Sequence, residues 1–138
     1  MSYWRLFYHF VWATKDREPL IAAQIEVSLH KVIVAKAQEL GGIVHAVGGI
    51  EDHVHLVVSV PPRLALSDFI RQVKGASSHF ANHGVSLPYR FAWQTEYGVI
   101  SLANAHLNTA IAYVRHQRQH HNQATLIANL EMIEEQTG

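Results

Sequence analysis

Cysteine is absent from the 138 residues, and charged side chains make up only 16% of them. The lack of cysteine excludes disulfide bonds, thiolate metal ligands and a cysteine nucleophile, and it is usual in a reducing cytoplasm. The apolar runs are too short to form a transmembrane helix, which needs about 18 consecutive apolar residues. A Walker-type phosphate loop is also missing, so we expect no nucleotide cofactor.

Net charge gives little sign of a nucleic-acid partner, because 11 basic and 11 acidic residues cancel at pH 7. Three of the acidic residues, Glu131, Glu134 and Glu135, lie in the C-terminal tail, so the rest of the chain is slightly basic. The 11 histidines can add positive charge beside phosphates, which raise the pKa of an imidazole. Any affinity for nucleic acid must therefore come from local patches.

Hydrophobic residues make up 49% of the chain, which is high for a small domain with much surface to cover. A buried subunit interface would explain this excess, so we expect a homo-oligomer; a monomer with a large core is the alternative. The length favours one domain over 1–138, with a core at about 3–121 and a tail at 122–138. The first residues lack a basic leader followed by an apolar core and a small-residue cleavage site, so we expect a soluble cytoplasmic protein.

Hydrophobic periodicity predicts an α+β fold with four strands. The order of elements is strand, helix, strand, strand, helix, strand, helix. This is the ferredoxin-like split βαβ arrangement of an antiparallel sheet, with a tyrosine-bearing helix appended at its C-terminal end, and its first and third strands are central. The predicted strands cover 3–14, 43–50, 53–60 and 90–102; the predicted helices run from Ile21 to Leu40, from an N-cap at Ser67 to Gly84, over 104–121 and over 126–134.

Two histidines one residue apart lie in an otherwise apolar strand, residues 52–60 (DHVHLVVSV). Because side chains alternate between the faces of a strand, His53 and His55 share a face about 7 Å apart and can converge on one metal ion. Asp52, in the preceding turn, is a further oxygen ligand or a solvated charge. His9, on a central strand, is either a buried histidine of the core or a support for this pair.

The last predicted helix combines an apolar stripe with a polar face that carries Tyr113 and Gln117. These two residues are four apart, so they are neighbours on one helix surface. A tyrosine beside a glutamine is a candidate nucleophile next to a candidate metal ligand. The alternative is a tyrosine that is only a surface residue.

Together these patterns resemble the single-tyrosine HUH transposases, the small transposases of insertion-sequence-200-like elements and their REP-associated relatives. His53-Val54-His55 fits the histidine–hydrophobic–histidine motif, and residues 113–117 (YVRHQ) fit the tyrosine-x-x-x-glutamine helix that accompanies it. Residues 9–15 (HFVWATK) and 93–98 (WQTEYG) extend the resemblance, which covers about residues 3–121.

The resemblance implies an enzyme of bacteria or archaea that cuts and rejoins single-stranded DNA beside a hairpin at element ends. Tyr113 would attack the scissile phosphate and form a 5′-phosphotyrosine link, while His53, His55 and Gln117 would hold Mg²⁺ or Mn²⁺. General ligand preference favours zinc, nickel or manganese over magnesium for two imidazoles and an amide, and of these manganese agrees with the resemblance. The family works as a homodimer. The alternative is a domesticated relative that binds hairpin DNA or RNA without cleaving it.

Basic residues in three regions are candidate DNA contacts, each of which is otherwise an exposed solubilising charge. The resemblance implies a DNA contact at Lys74, and Arg71 lies on the same polar side of the second predicted helix. The aromatic residues Trp12, Trp93 and Tyr97 either stack on unpaired bases or pack in the core. The further basic candidates are Lys15 and Arg17 in the first turn and Arg115 on the last helix.

Overall fold

The computed structural model describes residues 3–117 and contains the predicted α+β architecture. The predicted helix at 126–134, the end of the predicted helix at 104–121 and the tail lie outside the described residues. The four strands are β1 (Phe7–Ala13), β2 (Ile43–Ile50), β3 (His53–Ser59) and β4 (Gly98–Leu102). The three α-helices are α1 (Ala23–Glu39), α2 (Leu66–His79) and α3 (Leu107–Arg115).

The four strands form one antiparallel sheet in the order β2-β3-β1-β4, which confirms the ferredoxin-like prediction. The two-residue turn between β2 and β3 fixes their pairing, and β1 pairs with β3 through a register that places His9 opposite Val57. The two central strands are therefore β1 and β3. All seven residues of β3 are buried, because the sheet is covered on both faces.

Helices α1 and α2 cover one face of the sheet, and α3 covers the other. The larger core lies under α1 and α2, where Phe10 and Trp12 of β1 meet Leu56 of β3 and Phe69 of α2. Trp12 is 1% exposed and packs edge-on against Trp93, so it is a core residue and not a base-stacking platform. A smaller core joins α3 to the opposite face through Ala46, Val57, Ala110, Tyr113 and Val114.

Two helix starts differ from the predictions. The first helix begins at Ala23, and its buried residues are Ile25, Leu29, Ile33 and Ala37, a stripe with a uniform step of four. The second helix begins at Leu66 with Ala65 as its N-cap, so Ser67 lies in the first turn. No helix within residues 3–117 is long and apolar enough to cross a membrane.

The predicted strand over 90–102 is wrong in its first half, because regular pairing begins only at Gly98. The segment before it is irregular and is held by hydrogen bonds from α2 and from the turn that follows α2. The side-chain amide of Asn82 exchanges two hydrogen bonds with the backbone of Phe91, and Trp93 Nε1 donates to Ser77 Oγ. These side-chain contacts and one isolated antiparallel bridge, between Thr14 and Trp93, hold the segment in place of a continuous strand ladder. The first strand is also shorter than predicted, since its pairing begins at Phe7.

Burial of His30 on α1 makes the fold sensitive to acid. Burial lowers the pKa of His30 below the usual 6.5, and the nearby Glu26 carboxylate opposes this effect. As the pH falls below about 6.5, the unfolded chain takes up a proton more readily than the folded chain, so the free energy of unfolding decreases. We expect the urea midpoint of His30→Gln to fall less than that of the wild type between pH about 7.5 and about 5.5. An equal decrease of the urea midpoint in the two proteins would contradict the role of His30 in the acid sensitivity.

Candidate active site on the histidine face

The centre of the site is the histidine pair of β3, on the sheet face opposite α1 and α2. His53 and His55 are both fully buried, and their ring centroids are 5.0 Å apart in an edge-on arrangement. The period of two along β3 places both rings on the face that α3 covers, while Val54 and Leu56 enter the larger core. The face predicted from the alternating pattern is thus the one that the structure shows.

The turn between β2 and β3 fixes the orientation of His53. Nδ1 of His53 lies 2.7 Å from Oδ1 of Asp52, and the ring nitrogen donates because a carboxylate accepts. The other carboxylate oxygen of Asp52 lies 3.5 Å from Nη2 of Arg17, in the turn that follows β1. Asp52 is therefore a partner of the histidine ring, and Nε2 of His53 is turned towards α3.

Helix α3 crosses the sheet at very short range because β2 has a glycine at the crossing. A Cβ atom added to Gly48 would overlap the backbone carbonyl oxygen of Val114. Only a residue without a side chain allows the helix this close. The crossing buries Tyr113, which is 1% exposed, and its ring centroid lies 5.6 Å from that of His55.

The polar face predicted for the last helix is divided in the structure. Tyr113 and Gln117 face the sheet and are both buried, whereas His106, Thr109 and His116 are exposed. The expectation of a tyrosine away from the buried stripe is therefore wrong. Polar side chains point inwards here because the sheet face beneath them is itself polar. Nε2 of Gln117 lies 3.3 Å from Nε2 of His53, so the glutamine reaches the histidine pair.

His9 lies beside the pair on the neighbouring strand β1. Its Nε2 is 2.8 Å from Nδ1 of His55, and its ring also packs against Tyr113, with centroids 6.4 Å apart. Burial lowers the pKa of His9 to about 4, so its imidazole is neutral at pH 7. The site thus brings together the imidazoles of His9, His53 and His55 with one phenol and one amide, and Asp52 lies at its edge.

The donor set around His53 and His55 fits a divalent cation. Within residues 3–117, no three His, Cys, Asp or Glu side chains are grouped so that they could hold a metal ion. The side chain of Gln117, which lies next to His53, offers an amide oxygen as a further donor of the kind that divalent cations accept. Two imidazole nitrogens and one amide oxygen would form an incomplete coordination sphere, with positions open for a substrate.

The predicted DNA-contacting residues fall in separate places. Arg17 lies near the histidine pair, since it is 3.5 Å from Asp52, and Arg115 is exposed on α3 between Tyr113 and Gln117. Lys15 lies in the turn after β1, where it lines a cleft with Arg90. Arg71 and Lys74 lie on α2, in the layer on the other side of the sheet.

Lys74 is the most constrained of these basic residues. Its Nζ donates to the backbone oxygens of Gln94, at 2.6 Å, and Glu96, at 3.3 Å. Burial lowers the pKa of Lys74, and the Glu96 carboxylate opposes this effect. Arg71 is exposed and pairs with Asp68 at 3.5 Å. Lys74 therefore anchors the irregular segment 90–97 to α2, which sequence spacing did not predict.

Two open clefts share Arg90 in their lining. One cleft of about 310 Å³ lies between α2 and residues 90–95, and it includes Lys74 and Ser78. The other, of about 270 Å³, lies beside the turn after β1 and includes Lys15. Arg90 was not among the predicted DNA contacts, because the residues around it in the sequence do not indicate that it lines two clefts.

Comparison with known proteins identifies relatives of the whole described region. The profile of the family described as "Transposase IS200 like" matches residues 2–117. The chain is also 32% identical over 75 residues to the ISDra2 transposase TnpA of Deinococcus radiodurans. That alignment spans 54% of this chain, and it covers only about half, 54%, of the length of the relative.

Two solved structures share the fold. A crystal structure of a candidate transposase from Deinococcus radiodurans R1 covers 91% of this chain and 97% of its own, with a TM-score of 0.67 and 23% identity. The structure of a REP-associated tyrosine transposase bound to a REP hairpin covers 88% of this chain and 74% of its own, with a TM-score of 0.65 and 16% identity. At these identities the two likenesses establish the fold.

Proposed function

Because the chain belongs to the family of IS200-like transposases, we propose that it cleaves and rejoins single-stranded DNA with Tyr113 as nucleophile. The observation that carries the proposal is the burial of this phenol beside His55, with Gln117 next to His53. A nucleophile, two imidazoles and an amide converge there on one sheet face. Chance packing of a surface tyrosine does not require polar partners on both the strand and the helix.

The proposed reaction is a phosphoryl transfer to the tyrosine. The Tyr113 oxygen forms a bond to the phosphorus of the scissile phosphodiester, and the bond from phosphorus to the 3′-oxygen breaks. The phenol proton ends on that oxygen, which leaves a free 3′-hydroxyl and a 5′-phosphotyrosine. The reverse reaction with another 3′-hydroxyl rejoins the strand. Because the covalent link conserves the phosphodiester energy, no nucleotide cofactor is needed.

His53, His55 and Gln117 would hold a divalent cation, Mg²⁺ or Mn²⁺. A phenol has a pKa of about 10 and is a weak nucleophile at neutral pH. The cation would bind a phosphate oxygen, neutralise its charge and orient the phosphorus. In this chain, the bond between Asp52 and Nδ1 of His53 directs the Nε2 atom of His53 towards that role.

Part of the DNA would run between the turn after β1 and α2 along the two clefts that share Arg90. Lys15, Arg17 and Arg115 would contact the strand near the scissile phosphate. Arg71, Lys74 and Arg90 would contact a more distant part, such as the hairpin stem, since α2 lies on the opposite side of the sheet. The REP-associated transposase that shares this fold is bound to a REP hairpin, which supports a hairpin as partner. Phosphate contacts would make this binding dependent on salt.

In the proposed arrangement one chain supplies the whole site, which is supported by the 5.6 Å distance between the rings of Tyr113 and His55. A homodimer is still part of the proposal for another reason. One tyrosine holds only one 5′ end at a time, so joining the two ends of an element needs two sites.

The test of the proposal is a metal-dependent covalent adduct. With Mn²⁺ and single-stranded hairpin DNA from the ends that flank the gene, we expect a protein–DNA band that survives denaturing electrophoresis. Excess EDTA or His53→Ala should remove it, because either change empties the cation site. A protein that binds the hairpin equally well with EDTA and never forms the band would be the non-cleaving binder. Adduct formation that is insensitive to EDTA would contradict the proposed role of the cation.

A further inference from the structure

His9 is a polar residue at a buried position, where an apolar side chain is usual. It is 1% exposed, lies in the middle of the central strand β1 and is opposite Val57 in the sheet. Burial of an imidazole costs free energy unless hydrogen bonds compensate for it. Within residues 3–117, His9 Nδ1 has no hydrogen-bond partner. The hydrogen bond that holds this ring is the 2.8 Å contact between its Nε2 and Nδ1 of His55.

The two histidines of β3 are held in the same way but by different partners. Nδ1 of His53 is bonded to Asp52, and Nδ1 of His55 is bonded to His9. In both rings the nitrogen on the far side from that bond is Nε2. Histidine ligands in metal sites commonly donate their second ring N–H to an acceptor, which fixes the tautomer and the ring orientation.

Resting on the proposed function, we infer that His9 is a positioning residue that fixes the tautomer of His55. If Nε2 of His55 binds a cation, the ring proton must be on Nδ1, which then donates to Nε2 of His9. A neutral His9 accepts this bond through its lone pair and carries its own proton on Nδ1. His9 thus does for His55 what Asp52 does for His53, without a second negative charge beside the DNA phosphate.

The test compares His9→Phe with His9→Gln in full-length protein. Phenylalanine keeps a buried ring but has no acceptor, whereas glutamine places an amide oxygen near the position of imidazole Nε2. Titration with Mn²⁺ alone should give about 10–100-fold weaker binding for His9→Phe, the usual effect of losing such a partner. The affinity of His9→Gln should be closer to that of the wild type. His30→Gln, which changes a partly buried histidine away from the site, should bind Mn²⁺ normally.

A second measurement reports the tautomer directly. Long-range ¹H–¹⁵N spectra of the wild type with bound Mg²⁺, which is diamagnetic, should show His55 protonated on Nδ1. His9→Phe should show a mixture of His55 tautomers even if its fold, measured by circular dichroism, is unchanged.

The outcomes separate this inference from the proposed function. Equal Mn²⁺ affinity in a folded His9→Phe, or a failure of His9→Gln to improve on it, would overturn the role of His9 and leave the site intact. If the wild type itself binds no Mn²⁺, or binds it as well after His53→Ala, the proposed cation site fails first. If His9→Phe does not fold, the role of His9 is tested by the Mn²⁺ affinity of His9→Gln and by the His55 tautomer of the wild type. A wild-type His55 that is protonated on Nε2 with Mg²⁺ bound would overturn the inference.

Discussion

Replacement of Tyr113 by phenylalanine is expected to abolish the covalent protein–DNA adduct and leave the fold unchanged. The aromatic ring still fills the space against His9 and His55, so packing is retained and only the hydroxyl is lost. Loss of the nucleophile in a covalent enzyme lowers kcat on the order of 10⁶-fold. The measurement is denaturing electrophoresis of labelled DNA with Mn²⁺, together with hairpin binding under native conditions, which should be unchanged.

Tyr89→Phe is the matched control for loss of a phenol. Tyr89 donates its hydroxyl to the backbone oxygen of Leu20 at 2.8 Å and lies outside the histidine face, so its loss should leave adduct formation at the wild-type level. An adduct that persists in Tyr113→Phe would show that another group is the nucleophile.

A mixture of Tyr113→Phe and His53→Ala proteins tests whether Tyr113 acts with the histidines of its own chain or with those of a second subunit. Since Tyr113 lies beside the His55 of its own chain, the mixture should form no more adduct than the two variants separately. Restored activity in the mixture would show that α3 serves a second subunit.

Gly48→Ala is expected to have the second largest effect, because it moves α3. The added methyl group would overlap the carbonyl oxygen of Val114, a backbone atom that cannot rotate away. The helix must shift, and overpacking of this kind costs about 1–3 kcal/mol of stability. Displacement of Tyr113 by about 1 Å is enough to reduce the rate of adduct formation about 10²-fold. Adduct formation per folded molecule, with the folded fraction from urea unfolding, is the measurement.

Gly75→Ala separates this clash from the general effect of replacing glycine. A Cβ atom at Gly75, in the middle of α2, would meet nothing within 4 Å. Alanine is favoured over glycine in a helix by about 1 kcal/mol, so the stability of Gly75→Ala should rise. If Gly48→Ala forms adduct at the wild-type rate, α3 does not need its close approach to β2.

Most of the fold could be predicted from the sequence because backbone periodicity encodes it locally. The alternation in residues 53–60 and the helical spacing from Ile21 to Leu40 each report one element, and their order gives the topology. The segment 90–97 could not be predicted in this way. Its aromatic residues are typical of a strand, but it forms one isolated bridge instead of a ladder, to Thr14 just after β1, and the side chains of Lys74 and Asn82 hold it from other elements.

The site was predictable to the extent that it follows strand geometry. The shared face of His53 and His55 follows from the pleat of β3. The burial of Tyr113 does not follow from local sequence. Hydrophobic periodicity assigns polar residues of a helix to its exposed side, and it contains no information on whether the sheet face beneath α3 is also polar. The link from Asp52 to His53 and that from His9 to His55 depend on turn geometry and on pairing between strands, which no local pattern contains.

The position of both histidines on one strand has a consequence for how this protein can change in evolution. Insertion or deletion of one residue in the turn before β3 would exchange the two faces of that strand. Val54 and Leu56 would then meet the phenol, and both imidazoles would enter the apolar layer beneath α1 and α2. A change of length before β3 therefore replaces all the side chains on the histidine face at once. Only substitutions can alter that face one residue at a time.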